Sequence, residues 1–167
     1  RRIGLVVGRD VRPTRERVRA VEDAYDASGI ARDLLVHRGT LSPEHGEEAL
    51  EEMLSDAVPP GAVILGGNQL LEGALRVVHR RGLQLGKDLS LVCCDDVPLG
   101  RFHQPPIATV MRDSALLGKR AAELLLAQPG TPGANEPVCL PTWFEPRASC
   151  GPPATDASDT NRKRTAR

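Results

Sequence analysis

Aromatic side chains are scarce in this sequence: one Trp, one Tyr and two Phe among 167 residues. So few rings exclude a stacking surface for single-stranded nucleic acid, which needs several exposed aromatics. An excess of charge is also absent, with 22 Lys and Arg against 22 Asp and Glu. That balance excludes a chain that holds DNA or anionic lipid through its bulk field. No stretch approaches the roughly 20 apolar residues needed to cross a bilayer. The four cysteines, Cys93, Cys94, Cys139 and Cys150, make neither a disulfide framework nor a C-x-x-C pair. They read as small apolar residues in a reducing compartment. His37, His45, His79 and His103 lack ligand spacing, so no metal site is expected. No secretory signal is visible. G-x-S-x-G and G-x-G-x-x-G motifs are missing. Gly82 to Asp88 imitates a phosphate loop, but it is one residue short, has no hydroxyl after Lys87 and precedes a strand. Residue 1 is Arg rather than Met, so the chain is expected to have been cut or processed.

What is present is a repeated switch between strand-like runs and helical stripes. Ile3 to Gly8 is a continuous apolar run of strand length. Residues 14–28 then put Val18, Val21, Tyr25 and Ser28 on one helical face, with Gly29 as the stop. Leu34 to His37 is a second strand. Ser42-Pro43 opens a helix, with a capping hydroxyl and a proline in its first turn. Ala49, Leu50, Met53, Leu54 and Ala57 form its buried stripe, and Glu44, Glu47, Glu48, Glu51 and Glu52 its wet face. Ala62 to Gly66 is a third strand. Asn68 is expected to cap a helix carrying Leu70, Leu71, Ala74, Leu75 and Val78 inward, closed by Gly82. Leu89 to Cys94 is a fourth strand and Ile107 to Val110 a fifth. A helix over residues 113–127 follows, with Leu117, Ala121, Leu124 and Leu125 on its apolar side, and Val138 to Leu140 reads as a last short strand. Residues 151–167 carry only Ala among apolar types and four basic residues, which predicts a disordered tail. Alternating elements with doubly apolar strands predict an α/β fold, a parallel sheet with helices on both faces.

In open parallel sheets a ligand crevice lies beyond the carboxyl ends of the strands. The loops there are Gly8 to Thr14, Arg38 to Ser42, Gly66 to Asn68 and Cys94 to Gly100. They gather Arg9, Asp10, Arg12, Arg17, Asn68, Asp95 and Asp96 on one edge. Carboxylates, an amide and guanidinium forks suit a charged or polyhydroxylated small molecule. Gly66-Gly67 allows close backbone approach ahead of a helix N-terminus. Ordinary solvated loop charges and helix caps remain the alternative. Asp95-Asp96 as a catalytic or phosphate-accepting pair fits poorly, because such a pair would follow the first strand and this one follows the fourth.

Several motifs occur in a specific order. Gly73-Ala74-Leu75 and Arg81-Gly82-Leu83 precede the strand Asp88 to Val92, the turn Asp95-Asp96-Val97-Pro98 and Pro105-Pro106-Ile107-Ala108-Thr109-Val110. A helix from Leu117 to Leu126 follows, then Leu140-Pro141 through Arg147-x-Ser149. With the opening Arg1-Arg2-Ile3-Gly4, this run over about residues 1–150 resembles the effector-binding domain of the lactose-repressor (LacI/GalR) family, which has a periplasmic-binding-protein-like fold.

The resemblance implies two lobes hinged around a small molecule, behind a helix-turn-helix DNA-binding region. On that basis residues 1–108 form the C-terminal subdomain and 109–128 cross into a first lobe that this chain lacks. Residues 138–150 return, and 151–167 form the disordered tail. The resemblance implies ligand contacts from Asp95 and Arg17, with Arg12 and Thr14 in a contributing loop. Gly67-Asn68 replaces the commoner Asn-Asp, Leu41 stands where many members place an aromatic, and Cys93-Cys94 replaces Gly-aromatic. A homodimer contact would use Leu71, Leu75, Leu99 and Phe102, which are equally compatible with ordinary core. The implied role is sensing a sugar or nucleobase-like metabolite in the cytoplasm, without cofactor, enzymatic activity or membrane association, and with DNA bound only through the region upstream. The alternative is a solute-binding protein of a transporter. If residues 109–128 belong to a missing lobe, the helix at 113–127 leaves its apolar stripe bare. The isolated chain is then expected to bind an apolar dye strongly or to self-associate, and a well-behaved dilute monomer would count against that.

Overall fold

The computed structural model describes residues 2–127 and 138–152. Six strands form one sheet in the order β2-β1-β3-β4-β5-β6. They are β1 (Ile3–Val7), β2 (Leu34–Arg38), β3 (Ala62–Leu65), β4 (Ser90–Cys94), β5 (Ala108–Arg112) and β6 (Thr142–Glu145). The first five are parallel, and β6 alone runs antiparallel, against β5. Helices α1 (Arg12–Ser28), α2 (Pro43–Ser55), α3 (Asn68–Arg80), α4 (Pro98–Phe102) and α5 (Ser114–Leu126) connect them. The sheet has a separate apolar cluster on each side. Leu5, Val7 and Val18, with Val21, Leu34, Val36 and Ile64, pack where α1 lies. The larger cluster joins Val6, Val63, Leu65 and Leu91 to Leu50, Met53, Leu70 and Leu71 of α2 and α3. Helices on both faces of a mainly parallel sheet are what the doubly apolar strands predicted.

Local signals place most element ends. Ser42 caps α2 by accepting from the His45 backbone N–H at 3.3 Å, and Gly29 ends α1 at φ 67°. Several details of the helices differ from expectation. The N-cap of α3 is Gly67, in extended conformation, and Asn68 is the first helical residue without a capping bond, which leaves its amide for other partners. Leu71 and Leu75 are core side chains of α3 and have little surface to offer a second subunit. The Glu-rich side of α2 is not simply wet: Glu47 pairs with Arg76 and Arg80, and Glu51 with Arg80 and Arg81, fastening α2 to α3. Helix α2 ends at Ser55, so Ala57 lies outside it and exposed.

The two helices can approach so closely because of Gly46 and Gly73. A Cβ on Gly46 would overlap the carbonyl oxygen of Leu70, and one on Gly73 that of Pro43.

Thr109 and Val110, expected at the start of the crossing segment, still pair with Cys93 and Cys94 of β4. Beyond them Met111 and Arg112 pair with Trp143 and Thr142 of β6. The final strand is Thr142–Glu145 rather than Val138 to Leu140. Pro141 separates the two stretches, and the β-forming residues that follow it pair along β5. Helix α5 has no buried residue, and Leu117, Leu124, Leu125 and Leu126 are all exposed. The expected disordered tail falls, from residue 153 on, outside the described residues.

After β6 the chain is plugged between β4 and β5. The buried Ser149 hydroxyl donates to the Leu91 carbonyl at 2.6 Å and accepts from the Ala108 N–H at 2.8 Å. Arg147 donates to Asp96 at 2.8 Å and to the Ile107 carbonyl at 3.0 Å. Arg101 of α4 grips the other oxygen of Asp96. Hydrogen bonds from Arg147, then from Arg101, hold the Asp96 carboxyl below its ordinary 3.8 against the opposing effect of burial.

Gly73→Ala forces α2 and α3 apart, and urea denaturation should show a loss of about 1–3 kcal/mol, the usual cost of overpacking. Because the folded-state pKa of Asp96 lies below 3.8, its carboxylate stabilises the fold above that pH. The contribution fades as the pH falls through the lower folded value. Asp96→Asn should therefore cost about 3 kcal/mol at pH 7, where it strands Arg147, and the gap to the native chain should narrow below pH 3.8. A constant gap would reject this role.

Candidate functional site

Five parallel strands end on one edge, and short loops set their last residues there. Gly8 follows β1, Gly39 to Leu41 follow β2, Gly66-Gly67 follow β3 and Asp95-Asp96 follow β4. Leu41 lies across two of these glycines. A Cβ on Gly8 would come 3.1 Å from its Cγ, and one on Gly67 3.2 Å from its Cδ2. The result is a partly exposed apolar floor, with Leu41 beside Gly67.

Next to this floor is a cavity of about 500 Å³, lined by Asn68, Asp95, Asp96, Arg101, Arg112 and Trp143 among others. Two of the sequence candidates, Asn68 and Asp95, therefore face one space. Asp95 has φ 79°, the one positive φ at a non-glycine residue among the described residues. A short polar side chain tolerates that region better than most, but it is still uncommon, and such outliers gather at functional sites. The Asp95 N–H donates to the Val110 carbonyl at 3.1 Å, and an Asp95 carboxylate oxygen pairs with Arg112 Nε at 3.1 Å. Its neighbour Asp96 is different: Arg101 and Arg147 occupy both of its oxygens, and its side chain is 7% exposed. Only one acid of the pair is free to meet a ligand.

Arg17 is half-buried on α1 and acts on the Cys94 thiol from the other side. Burial pushes the Cys94 thiol up, with Arg17 opposing, and burial pushes Cys93 up to about 12. Both remain protonated thiols at neutral pH. Among the described residues no three His, Cys, Asp or Glu side chains are placed to hold a metal ion.

The remaining candidates are less well placed. Thr14 is buried in the first turn of α1. Arg12 is 81% exposed and tied to Glu16 at 2.7 Å. Leu99 and Phe102 of α4 are exposed. Sequence reasoning missed Arg112 and Trp143. Trp143 was discoverable as the only tryptophan, but nothing in the sequence shows that β6 turns it toward Asp95.

A larger cavity of about 930 Å³ lies at the opposite, amino ends of the strands, between Ile3, Ala62 and Ser90 and the later turns of α1. Of its charged groups, Arg2 is already paired with Asp33 and Asp56, and Lys87 bonds the Gln84 amide oxygen. Size favours this cavity, but the convergent acid, amide and guanidinium groups favour the carboxyl edge, and chemistry decides.

The chain is similar to known proteins along most of its length. The periplasmic binding protein-like domain model matches residues 1–150. The chain is 28% identical to the ribose operon repressor of Haemophilus influenzae over 148 residues, covering 84% of this chain and 45% of that protein. It is 32% identical to the HTH-type transcriptional repressor CytR of Escherichia coli over 130 residues, 77% of this chain and 38% of that one. It thus spans less than half the length of these relatives. Among solved structures, a LacI transcriptional regulator from a Rhodococcus species superposes with TM-score 0.79 at 25% identity, over 91% of this chain and 56% of that one. The Lac repressor dimer bound to operator and the anti-inducer ONPF gives 0.77 at 25% identity, over 90% and 53%. These similar proteins are transcriptional repressors and a transcriptional regulator. The chain belongs to the periplasmic binding protein-like domain family, in its LacI type.

Proposed function

We propose that this chain is the effector-sensing lobe of a cytoplasmic DNA-binding repressor. In this reading a small polar metabolite, a sugar or a nucleobase-like compound, sits at the carboxyl edge. Asp95 accepts from its hydroxyl or amine groups, while Asn68 and Arg17 add directional contacts. Leu41 and Trp143 supply apolar surface, and Gly67 lets the ligand approach the backbone. Arg12 and Thr14 contribute at most through their loop. The observation that carries this reading is Asp95, held at φ 79° and facing the same cavity as Asn68.

The mechanism follows from where Arg112 sits. It pairs with Asp95, yet it belongs to the part of β5 that has left β4 and pairs with β6. A ligand that engages Asp95 therefore acts on the ribbon leading to α5. In the whole protein that ribbon would reach a second lobe, and the ligand would favour one lobe orientation over another by its differential affinity for the two. DNA would be read by a helix-turn-helix outside this sequence. A homodimer would use exposed Leu99 and Phe102 rather than the buried Leu71 and Leu75. The chain has no catalytic role in this scheme, and no cofactor is needed. A transporter solute-binding role shares the fold, but the similar proteins are repressors.

Calorimetry of the chain against a panel of sugars and nucleosides tests the assignment. Asp95→Asn keeps tolerance for positive φ while removing the charge, so it separates binding from backbone strain. It should weaken the bound compound about tenfold or more, as should Arg17→Ala, the scale of a hydrogen bond to a charged group. Unchanged affinity in both variants would reject this site.

A further inference from the structure

The arginines are not distributed evenly between paired and unpaired. Among the described residues nearly every arginine has a described carboxylate partner, on α1, across α2 and α3, on α5 and at both ends of the sheet. The exceptions are Arg9, Arg17 and Arg38, and all three lie on the carboxyl edge. Arg38 ends β2 level with Val7. Arg9 follows two residues after Val7 and reaches Thr40 Oγ1 at 3.4 Å. Arg17 sits by Cys94, and Arg112 acts on the same thiol from β5. Around the end of β4 there are thus two guanidiniums, Arg17 and Arg112, for one ligand-facing carboxylate, Asp95. Asp96 cannot balance the excess, because Arg101 and Arg147 hold both of its oxygens.

We propose that the effector taken by this edge carries an anionic group, a phosphate or a carboxylate. Arg17 binds it, Arg9 and Arg38 widen the positive field, and Asp95 accepts from the ligand's hydroxyls. This rests on the sensing role proposed above and adds the charge of its ligand. The physical reason is desolvation. Covering a half-buried guanidinium with a neutral polyol removes water and returns no countercharge, which is costly. An anionic substituent supplies the countercharge and two acceptor oxygens matched to the guanidinium fork. The unpaired cations also draw anions toward the edge although the whole chain is neutral.

The test is a titration of the isotope-labelled 167-residue chain, followed by NMR at constant ionic strength, with matched probes: ribose and ribose 5-phosphate, glucose and glucuronate, and inorganic phosphate alone. The anionic member of at least one pair should bind about tenfold tighter or more than its neutral partner, the scale of a charge-assisted hydrogen bond. Shifts should concentrate at residues 8–17 and 94–112, and inorganic phosphate should compete. The phosphate pair and the glucuronate pair tell which anion the edge prefers. Arg17→Gln should abolish the advantage of the charged member, Arg17→Lys should keep part of it, and Arg19→Gln, two residues on at another side of α1 and already paired with Asp23, should leave it intact. Equal binding within both pairs, an Arg17→Gln loss that is the same for neutral and charged members, or no localised shift with any anion overturns the proposal. The two readings fail separately. A sugar or nucleoside that binds equally well without its anion keeps the sensing role and removes the anion site. Inorganic phosphate bound at Arg17 with no sugar or nucleoside bound does the reverse.

Discussion

The carboxyl edge depends on one ion triad, the buried Asp96 between Arg147 and the more exposed Arg101. Its three members come from the β4 loop, from α4 and from the segment after β6. Arg147 also donates to the Ile107 carbonyl just before β5. The triad thus ties together the two strands that flank the cavity and closes the chain onto them. Two residues later Ser149 completes the junction by giving the buried Leu91 carbonyl and Ala108 N–H their partners. Such groups are expensive to leave unsatisfied. With Asp96 fixed on one side and the Asp95 N–H bonded to Val110 on the other, the backbone at Asp95 has little room to relax from φ 79°. The strained acid is a consequence of the anchored one.

That arrangement divides labour within an acidic pair that looks symmetric in sequence. Asp96 is fully engaged and almost without exposed surface, so it serves the fold. Asp95 has one ion pair, is partly exposed and faces a cavity, so in the proposed sensing role it serves recognition. Arginine chemistry follows the same division. Where a guanidinium fastens helices, as between α2 and α3, carboxylates meet it. At the carboxyl edge the supply of carboxylates runs out before the supply of guanidiniums does. Glycine at positions 46 and 73 lets α2 and α3 close up on the far side of the sheet. Their packing leaves the edge loops at a fixed height above the core.

Most of the fold was legible because its signals are local. Doubly apolar strands, a Ser-Pro helix start and a glycine stop act within a few residues, and they place β1 to β5 and α1 to α3 within a residue or two. The misses have long-range causes. The position of β6 depends on pairing with β5, more than thirty residues away, and the short apolar run at residues 138–140 competes with it in sequence alone. Asn68 looks like a cap because its side chain can cap, yet the backbone puts Gly67 in that place. Leu71 and Leu75 share the helical stripe of the core, and periodicity cannot tell a core leucine from one at an interface. That Asp95 and Asn68 face one space was legible because strand ends of a parallel sheet converge. Arg112 and Trp143 were not, because they come from a ribbon that continues past the sheet.

That continuation is what connects recognition to response. Strand β5 is shared: its first three residues are locked to β4, Thr109 to Arg112 pair with β6, and the last two, held by β6 alone, lead into α5, whose leucines are uncovered. Arg112 sits on the unlocked part and contacts Asp95 on the locked part. A bound molecule that replaces Arg112 at Asp95 changes the tether between the two, while one that bridges both strengthens it. The two outcomes bias the ribbon in opposite directions. A single ion pair cannot supply more than a few kcal/mol, since exposed pairs contribute little and this one is half open to water. That is nevertheless the scale of coupling that allosteric regulators use. The edge therefore does not need a large rearrangement to signal. It needs a ligand whose charge decides whether Arg112 stays with Asp95.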